Sequence, residues 1–211
     1  MARARKPTTD RKQGSPAEEP LLRLTAARWN AWLAKQHRTA AAALLVLTRK
    51  GVVPATMSYA EALEVALAWG WIDGHKRPLD DQAWIQRFTP RRANSAWSKI
   101  NRAKAEALIA AGKMQSAGLA EVERAKQDGR WDAAYDSPKT SQVPDDLAAA
   151  LAANEKAQAF FATIDATNRY AILYRIQAVK RAETRAAKIE AFVAMLARGE
   201  TLHPPRRASR R

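Results

Sequence analysis

Trp69-Gly70-Trp71-Ile72-Asp73-Gly74-His75-Lys76 and, after a polar loop, Trp84-Ile85-Gln86-Arg87-Phe88 are the two runs that decide the fold of this chain. Both mix aromatic and β-branched residues with polar ones. The loop between them holds Pro78 and Asp80-Asp81, so the pair reads as a β-hairpin over Trp71–Lys76 and Trp84–Phe88. A period of two puts Trp84, Gln86 and Phe88 on one side and Ile85 and Arg87 on the other. Two strands alone are marginal in water, so the hairpin must pack on helices or gain a third strand. Leu44–Thr48 is the candidate. The alanines of Ala40–Leu47 also suit a helix, and the sequence leaves both readings open.

Working outward, the flanks are helical. Thr25–Gln36 places Trp29, Trp32 and Leu33 on one face. Ser58 and Glu61 form a capping box ahead of Tyr59, Ala62, Leu63, Ala66 and Leu67, and Gly70 is the natural stop. Ser98 caps a helix running to Ala111, and Ser116 caps another running to Asp128. Trp131–Pro144 is irregular. From Asp145 the pattern becomes short alanine-rich helices over about 145–153, 155–164, 167–179 and 181–198. The class is therefore mainly α with a small antiparallel β-hairpin or three-stranded sheet, an α+β fold. The division reads as a disordered tail over 1–20, an α+β domain over 21–140, a helical module over 145–202 and a second basic tail over 203–211.

The chain has 211 residues and no cysteine, which excludes disulfides and thiolate chemistry. No run approaches the ~20 apolar residues of a membrane span. The basic N-terminus is followed by no apolar segment of a secretory signal, so a cytoplasmic protein is expected. The formal charge is +15, of which the two tails hold six charges and residues 21–205 hold nine. A folded part this basic attracts nucleic acid, phosphorylated ligands or anionic lipid, although high arginine content also serves solubility.

Residues 85–104 carry Arg87, Arg91, Arg92, Lys99, Arg102 and Lys104 with no acid, interleaved with Phe88 and Trp97. Arginine forks suit phosphate or carboxylate, and tryptophan offers a flat face to a ring. The plainer reading makes the tryptophans core and pairs the arginines with Asp73, Asp80 and Asp81. Asp73, between Gly70 and Gly74, then pairs with Arg87 across the hairpin. His75, two residues on, shares a strand face with Asp73 and makes an acid/base pair with it conceivable. The three histidines have no metal-ligand spacing, and Walker, GxGxxG and GxSxG motifs are absent, so no cofactor and no metal is expected.

Ser58-Tyr59-x-Glu61-Ala62-Leu63, Trp69-Gly70-Trp71-Ile72-Asp73-Gly74, Arg87-Phe88-Thr89-Pro90-Arg91-Arg92 and Trp97-Ser98-x-x-Asn101 together resemble the YdeI/OmpD-associated (bacteriocin-protection) family. The run from Arg181 through Lys188-Ile189-Glu190 to Met195-Leu196 is similar to that family's helical C-terminal module. The resemblance implies protection against antimicrobial peptides and association with an outer-membrane porin. It implies no established reaction. The candidate ligand-binding set is Asp73, Arg87, Arg91, Arg92, Trp97 and Asn101, with Asp73 and His75 as the catalytic candidates. Three functions follow. The first is a non-enzymatic stress-resistance protein binding an anionic ligand or partner over Trp69–Asn101. The second is an enzyme acting on a small anionic substrate, and the third a nucleic-acid binder using basic tails and surface.

Overall fold

The computed structural model describes residues 19–53 and 56–204. Within them are eight helices and one four-stranded mixed sheet, about 49% helix and 14% strand, an α+β fold. The sheet consists of β1 (Leu21–Leu22), β2 (Ala43–Thr48), β3 (Trp71–Pro78) and β4 (Ala83–Pro90), in the order β1-β2-β4-β3. β2 and β3 run antiparallel to β4, and β1 joins β2 in parallel.

The hairpin and the third strand thus form as the sequence indicates. The open choice over residues 40–47 resolves as strand from Ala43 onward. Leu45, Val46 and Leu47 are all fully buried, and a strand covered on both faces reads as an unbroken apolar run rather than an alternating one. The fourth strand is invisible to sequence reading, because two residues carry no period. It makes the sheet mixed rather than purely antiparallel.

The disordered tails fall mostly outside the described residues, which exclude 1–18 and 205–211. Their inner edges are fixed. The Pro20 carbonyl accepts from Leu44 N at 2.9 Å. His203 N donates to Asn168 Oδ1 at 2.8 Å, and Asn168 Nδ2 donates back to the His203 carbonyl.

The described chain divides into two compact units. One holds residues up to Ala66 together with Trp71–Pro90; the other holds Leu67–Gly70 and the chain from Arg91. In the first unit, register places Ala43, Leu45 and Leu47 on the same face as Phe88, Gln86 and Trp84. Helix α1 (Ala26–Gln36), capped by Thr25, covers this face through Trp29, whose ring lies 5.8 Å from Phe88 and 6.1 Å from Trp71. Trp32 stacks on Trp29 at 5.2 Å and meets Trp71 edge-on. The buried indoles find acceptors: Trp29 donates to the Ala62 carbonyl of α2 (Tyr59–Ala68), and Trp71 donates to the His37 carbonyl. The other face carries a small cluster of Val46, Ala83 and Ile85 with Leu44 beside it. The capping box forms as expected, with Ser58 N donating to Glu61 Oε2 at 2.8 Å and Glu61 N to Ser58 Oγ at 3.2 Å.

The second unit contains α3 (Lys99–Ala110), α4 (Ser116–Gln127), α5 (Asp145–Ala152), α6 (Glu155–Thr163), α7 (Ala166–Gln177) and α8 (Ala182–Ala197). Ser98 caps α3 through Asn101 N at 3.1 Å. Ser116 is not a cap. It is the first helical residue of α4, behind Gln115, which makes no side-chain capping bond. The last four helices bury a continuous core that includes Leu147, Leu151, Phe161, Ile172, Ile176 and Leu196. Two glycines let backbones approach within this unit. Gly70 has φ +73°, and a Cβ there would lie 2.9 Å from Glu121 Cγ and 3.0 Å from the Ala117 carbonyl oxygen. Gly118 lies directly against the Ala68 carbonyl.

Candidate functional site

Asp73, His75, Arg87 and Asn101 lie on these elements, and Arg91, Arg92 and Trp97 lie in the segment between β4 and α3. In the first unit Asp73 stands opposite Phe88 on β3, on the face that α1 covers. Tyr59, at the start of α2, donates its hydroxyl to Asp73 Oδ2 at 2.8 Å. The pairing then slips: Asp73 opposes Phe88 but Lys76 opposes Gln86, so β3 carries one extra residue in a bulge. The bulge interrupts the alternation that would put His75 on the face of Asp73, and His75 lies exposed. Gln86, buried beneath the bulge at 3% exposure, donates to the Gly74 carbonyl at 2.9 Å. A side chain is thereby recruited to satisfy a carbonyl that the ladder has released.

Arg87 does not pair with Asp73. Its Nε donates to both oxygens of Glu19, at 3.0 and 2.9 Å, and its Nη2 lies 2.5 Å from Oε1. The reason is geometric. Asp73 opposes Phe88, so it shares that residue's face, whereas Arg87 projects from the other. The hydrogen bonds from Arg87 hold the Glu19 carboxyl below its ordinary value, and Glu19 raises the guanidinium in turn. A carboxyl with a depressed folded pKa contributes stability at pH above its ordinary value, and that stability is lost as pH falls through the lowered one. Both side chains are about one-third exposed. Glu19→Gln is expected to cost less than ~1 kcal/mol at neutral pH. The cost should vanish in acid, below the lowered carboxylate range, as read by urea denaturation at the two pH values.

In the second unit Arg91 is 6% exposed. Its guanidinium carbon lies 3.7 Å above the Trp97 ring, and Nη2 donates to the Ala96 carbonyl at 2.8 Å. Trp97 is itself buried and meets Trp131 edge-on at 4.9 Å. Glu121, on α4, is the acid of this neighbourhood and is hydrogen-bonded by Arg124. Burial pushes the Glu121 carboxyl up, against the opposing charges of Arg124, Arg91 and Arg130. Arg91 and Trp97 are therefore packed together in the interior. Arg92 is exposed, and its backbone N–H closes a turn on Ser95 Oγ at 2.9 Å. Asn101 is half-buried in the first turn of α3, where its N–H is the one that Ser98 caps.

The expected set is thus divided between the two units. Asp73, His75 and Arg87 belong to the first unit, and Arg91, Arg92, Trp97 and Asn101 to the second. Arg91 and Trp97 are brought into contact; Asp73 and Arg87 are not. None of the seven lines any of four cavities in the second unit, whose volumes are about 570, 670, 200 and 680 Å³. Sequence reasoning passed over Glu19, Gln86 and Glu121, which hold the arginines and the bulge in place. Glu121 and Arg124, three apart on one helix face, are a local signal for the last of them. It also passed over Tyr135 and Asp136, which link the irregular connector to the helices: Asp136 lies 2.8 Å from Lys99 Nζ, and its carbonyl accepts from Tyr170 OH at 2.8 Å. Burial first, then Tyr135, Tyr174 and Asp136, push the Tyr170 hydroxyl up to about 12. Among the described residues no group of histidines and acids is placed to hold a metal ion.

This is an α+β protein with a helical C-terminal region, and residues 140–199 match the family described as "Bacteriocin-protection, YdeI or OmpD-Associated". The Arg181–Leu196 run, on which the resemblance to that family rested, lies inside the matched residues. Residues 22–121, which hold the Ser58–Asn101 motifs, match a different family, a domain of unknown function (DUF8412). No curated protein and no solved structure matches the chain significantly. No helix among the described residues is long and apolar enough to cross a membrane.

Proposed function

We propose that this is a non-enzymatic stress- or antimicrobial-peptide-resistance protein of the YdeI/OmpD-associated type, acting through an anionic partner. The supporting observation is the division of labour among its cations. Arg87 and Arg91 are engaged internally, whereas Lys76 and Arg77 stand exposed on the edge strand β3 with no ion pair among the described residues. Arg49 and Lys50, exposed just past the end of β2, add to the same sheet. Such residues also guard a sheet edge against pairing with another chain, so the two roles coincide in one feature. Direct capture of a cationic peptide is disfavoured, because long-range repulsion opposes it at low salt. The partner is accordingly a polyanion or an acidic surface.

Retention on a heparin column tests this. The double variant Lys76→Glu with Arg77→Glu should elute at clearly lower salt than the parent protein, because each neutralised contact carries a share of the salt dependence. Unchanged elution would refute the sheet-edge site. If deletion of residues 1–18 and 205–211 alone abolished retention, binding would belong to the tails, as the nucleic-acid reading requires. An enzymatic role for Asp73 and His75 draws no support from the geometry around them, because Asp73 is held by Tyr59 and His75 points into no described cavity.

A further inference from the structure

The cavity of about 200 Å³ in the second unit has a lining of consistent chemistry. Two of its walls are aromatic. The rings of Tyr135 and Tyr174 lie 5.0 Å apart at 88°, forming a right-angled corner. The corner is rigid on the Tyr135 side: Tyr135 N donates to the Trp97 carbonyl and its own carbonyl accepts from Lys99 N, both at 2.9 Å. Arg130 also lines the cavity. Its guanidinium is committed at its edges, with Nη1 donating to the Ser95 carbonyl at 2.7 Å and Nε to Asp128 at 2.8 Å. The small side chains of Ala96, Ala133 and Ala178 leave the interior open.

The polar groups of the lining include two cations. Lys180, just past the end of α7, is exposed and makes no ion pair among the described residues. Asn94 offers a carboxamide that has no hydrogen-bond partner among them. Gln177 also lines the space, but its amide is committed to Asp136. No carboxylate lines the cavity. A dry cavity of about 150 Å³ accepts a benzene-sized ring, so this one holds a single ring with one small substituent.

We propose that this cavity binds a monocyclic aromatic carboxylate. The ring packs into the Tyr135–Tyr174 corner, and the carboxylate meets Lys180 and Asn94. The site is independent of the basic sheet edge. It also gives a use to the turn at Arg92–Ala96, where the sequence suggested an anion would bind although the arginine of that turn faces solvent.

The test uses the full chain and fluorine NMR of para-fluorobenzoate, with para-fluorobenzyl alcohol as the neutral control. Saturable broadening of the benzoate signal in the millimolar range or below is expected. Lys180→Gln should weaken benzoate binding by about tenfold and leave the alcohol unchanged, since one charge-assisted contact is lost. Ala178→Leu, at an exposed position, should fill the cavity and weaken both ligands, with the far-UV circular dichroism spectrum expected to match the parent's. Absence of saturable binding overturns the site. So does binding that survives Ala178→Leu. Equal affinity for the alcohol and the benzoate overturns the choice of an anion.

Discussion

Replacing Gly118 with alanine is expected to destabilise the second unit by about 3 kcal/mol and to lower its melting temperature by something on the order of 10 °C. The sign is the informative part. Inside a helix the same change ordinarily stabilises, by roughly 1 kcal/mol, because alanine loses less chain entropy on folding. Here a Cβ would meet the Ala68 carbonyl oxygen well inside contact distance, with the carbonyl carbon at 2.9 Å and Met114 Sδ at 2.5 Å. The methionine is flexible and can swing away. The carbonyl cannot, because it accepts a 3.0 Å hydrogen bond from Gln115 N just ahead of α4. Relief therefore requires the end of α2 to separate from α4. Gly112→Ala is the control. Its φ of +65° carries a strain of roughly 1 kcal/mol for alanine, but nothing lies within 4 Å of the new atom. Thermal unfolding of the two variants side by side separates crowding from backbone strain. A Gly118→Ala protein as stable as the parent would refute the close approach.

The fold was legible where its causes are local. Thr25, Ser58 and Ser98 each cap their helices through bonds to residues three along the chain, and that spacing is written in the sequence. The hairpin was legible because both runs mix aromatic and β-branched residues and a polar turn separates them. What escaped depends on distance. The partner of Arg87 is Glu19, sixty-eight residues away, and nothing near Arg87 announces it. The carbonyl that Gly118 touches escaped for the same reason, whereas β1 escaped because two residues carry no period. The bulge after Asp73 is a further case. One extra residue reverses the faces beyond it, so the inference that Asp73 and His75 face the same way failed at the step where alternation was assumed. Charge clustering was the least transferable signal. A run of arginines in sequence says nothing of which ones water reaches, and in this chain adjacent Arg91 and Arg92 fall on opposite sides of that division.

That division yields the second large effect. Arg91→Ala is expected to cost about 3 kcal/mol, whereas Arg92→Ala should lie within ~0.5 kcal/mol of the parent. Truncating Arg91 removes a stacked cation 3.7 Å from Trp97, a hydrogen bond to the Ala96 carbonyl and the buried stem that fills the space between. It also removes one of the positive charges that offset the desolvation of Glu121. The pH dependence follows from the direction of that shift. A carboxyl raised above its ordinary value holds its proton more tightly in the folded state. Stability is then gained as pH falls through the raised value and lost as pH rises through it. In the variant the Glu121 carboxyl rises further, so the loss should deepen and extend to higher pH, within a window beginning just above the ordinary carboxylate range. Chemical denaturation of parent and variant across that window measures both the size and the slope. If Arg91→Ala retained parental stability at every pH yet lost retention on heparin, Arg91 would be a ligand-binding group after all. A large stability loss confined to Arg91 instead assigns this arginine and its tryptophan to the interior, and leaves recognition of anions to the cations that stand in water.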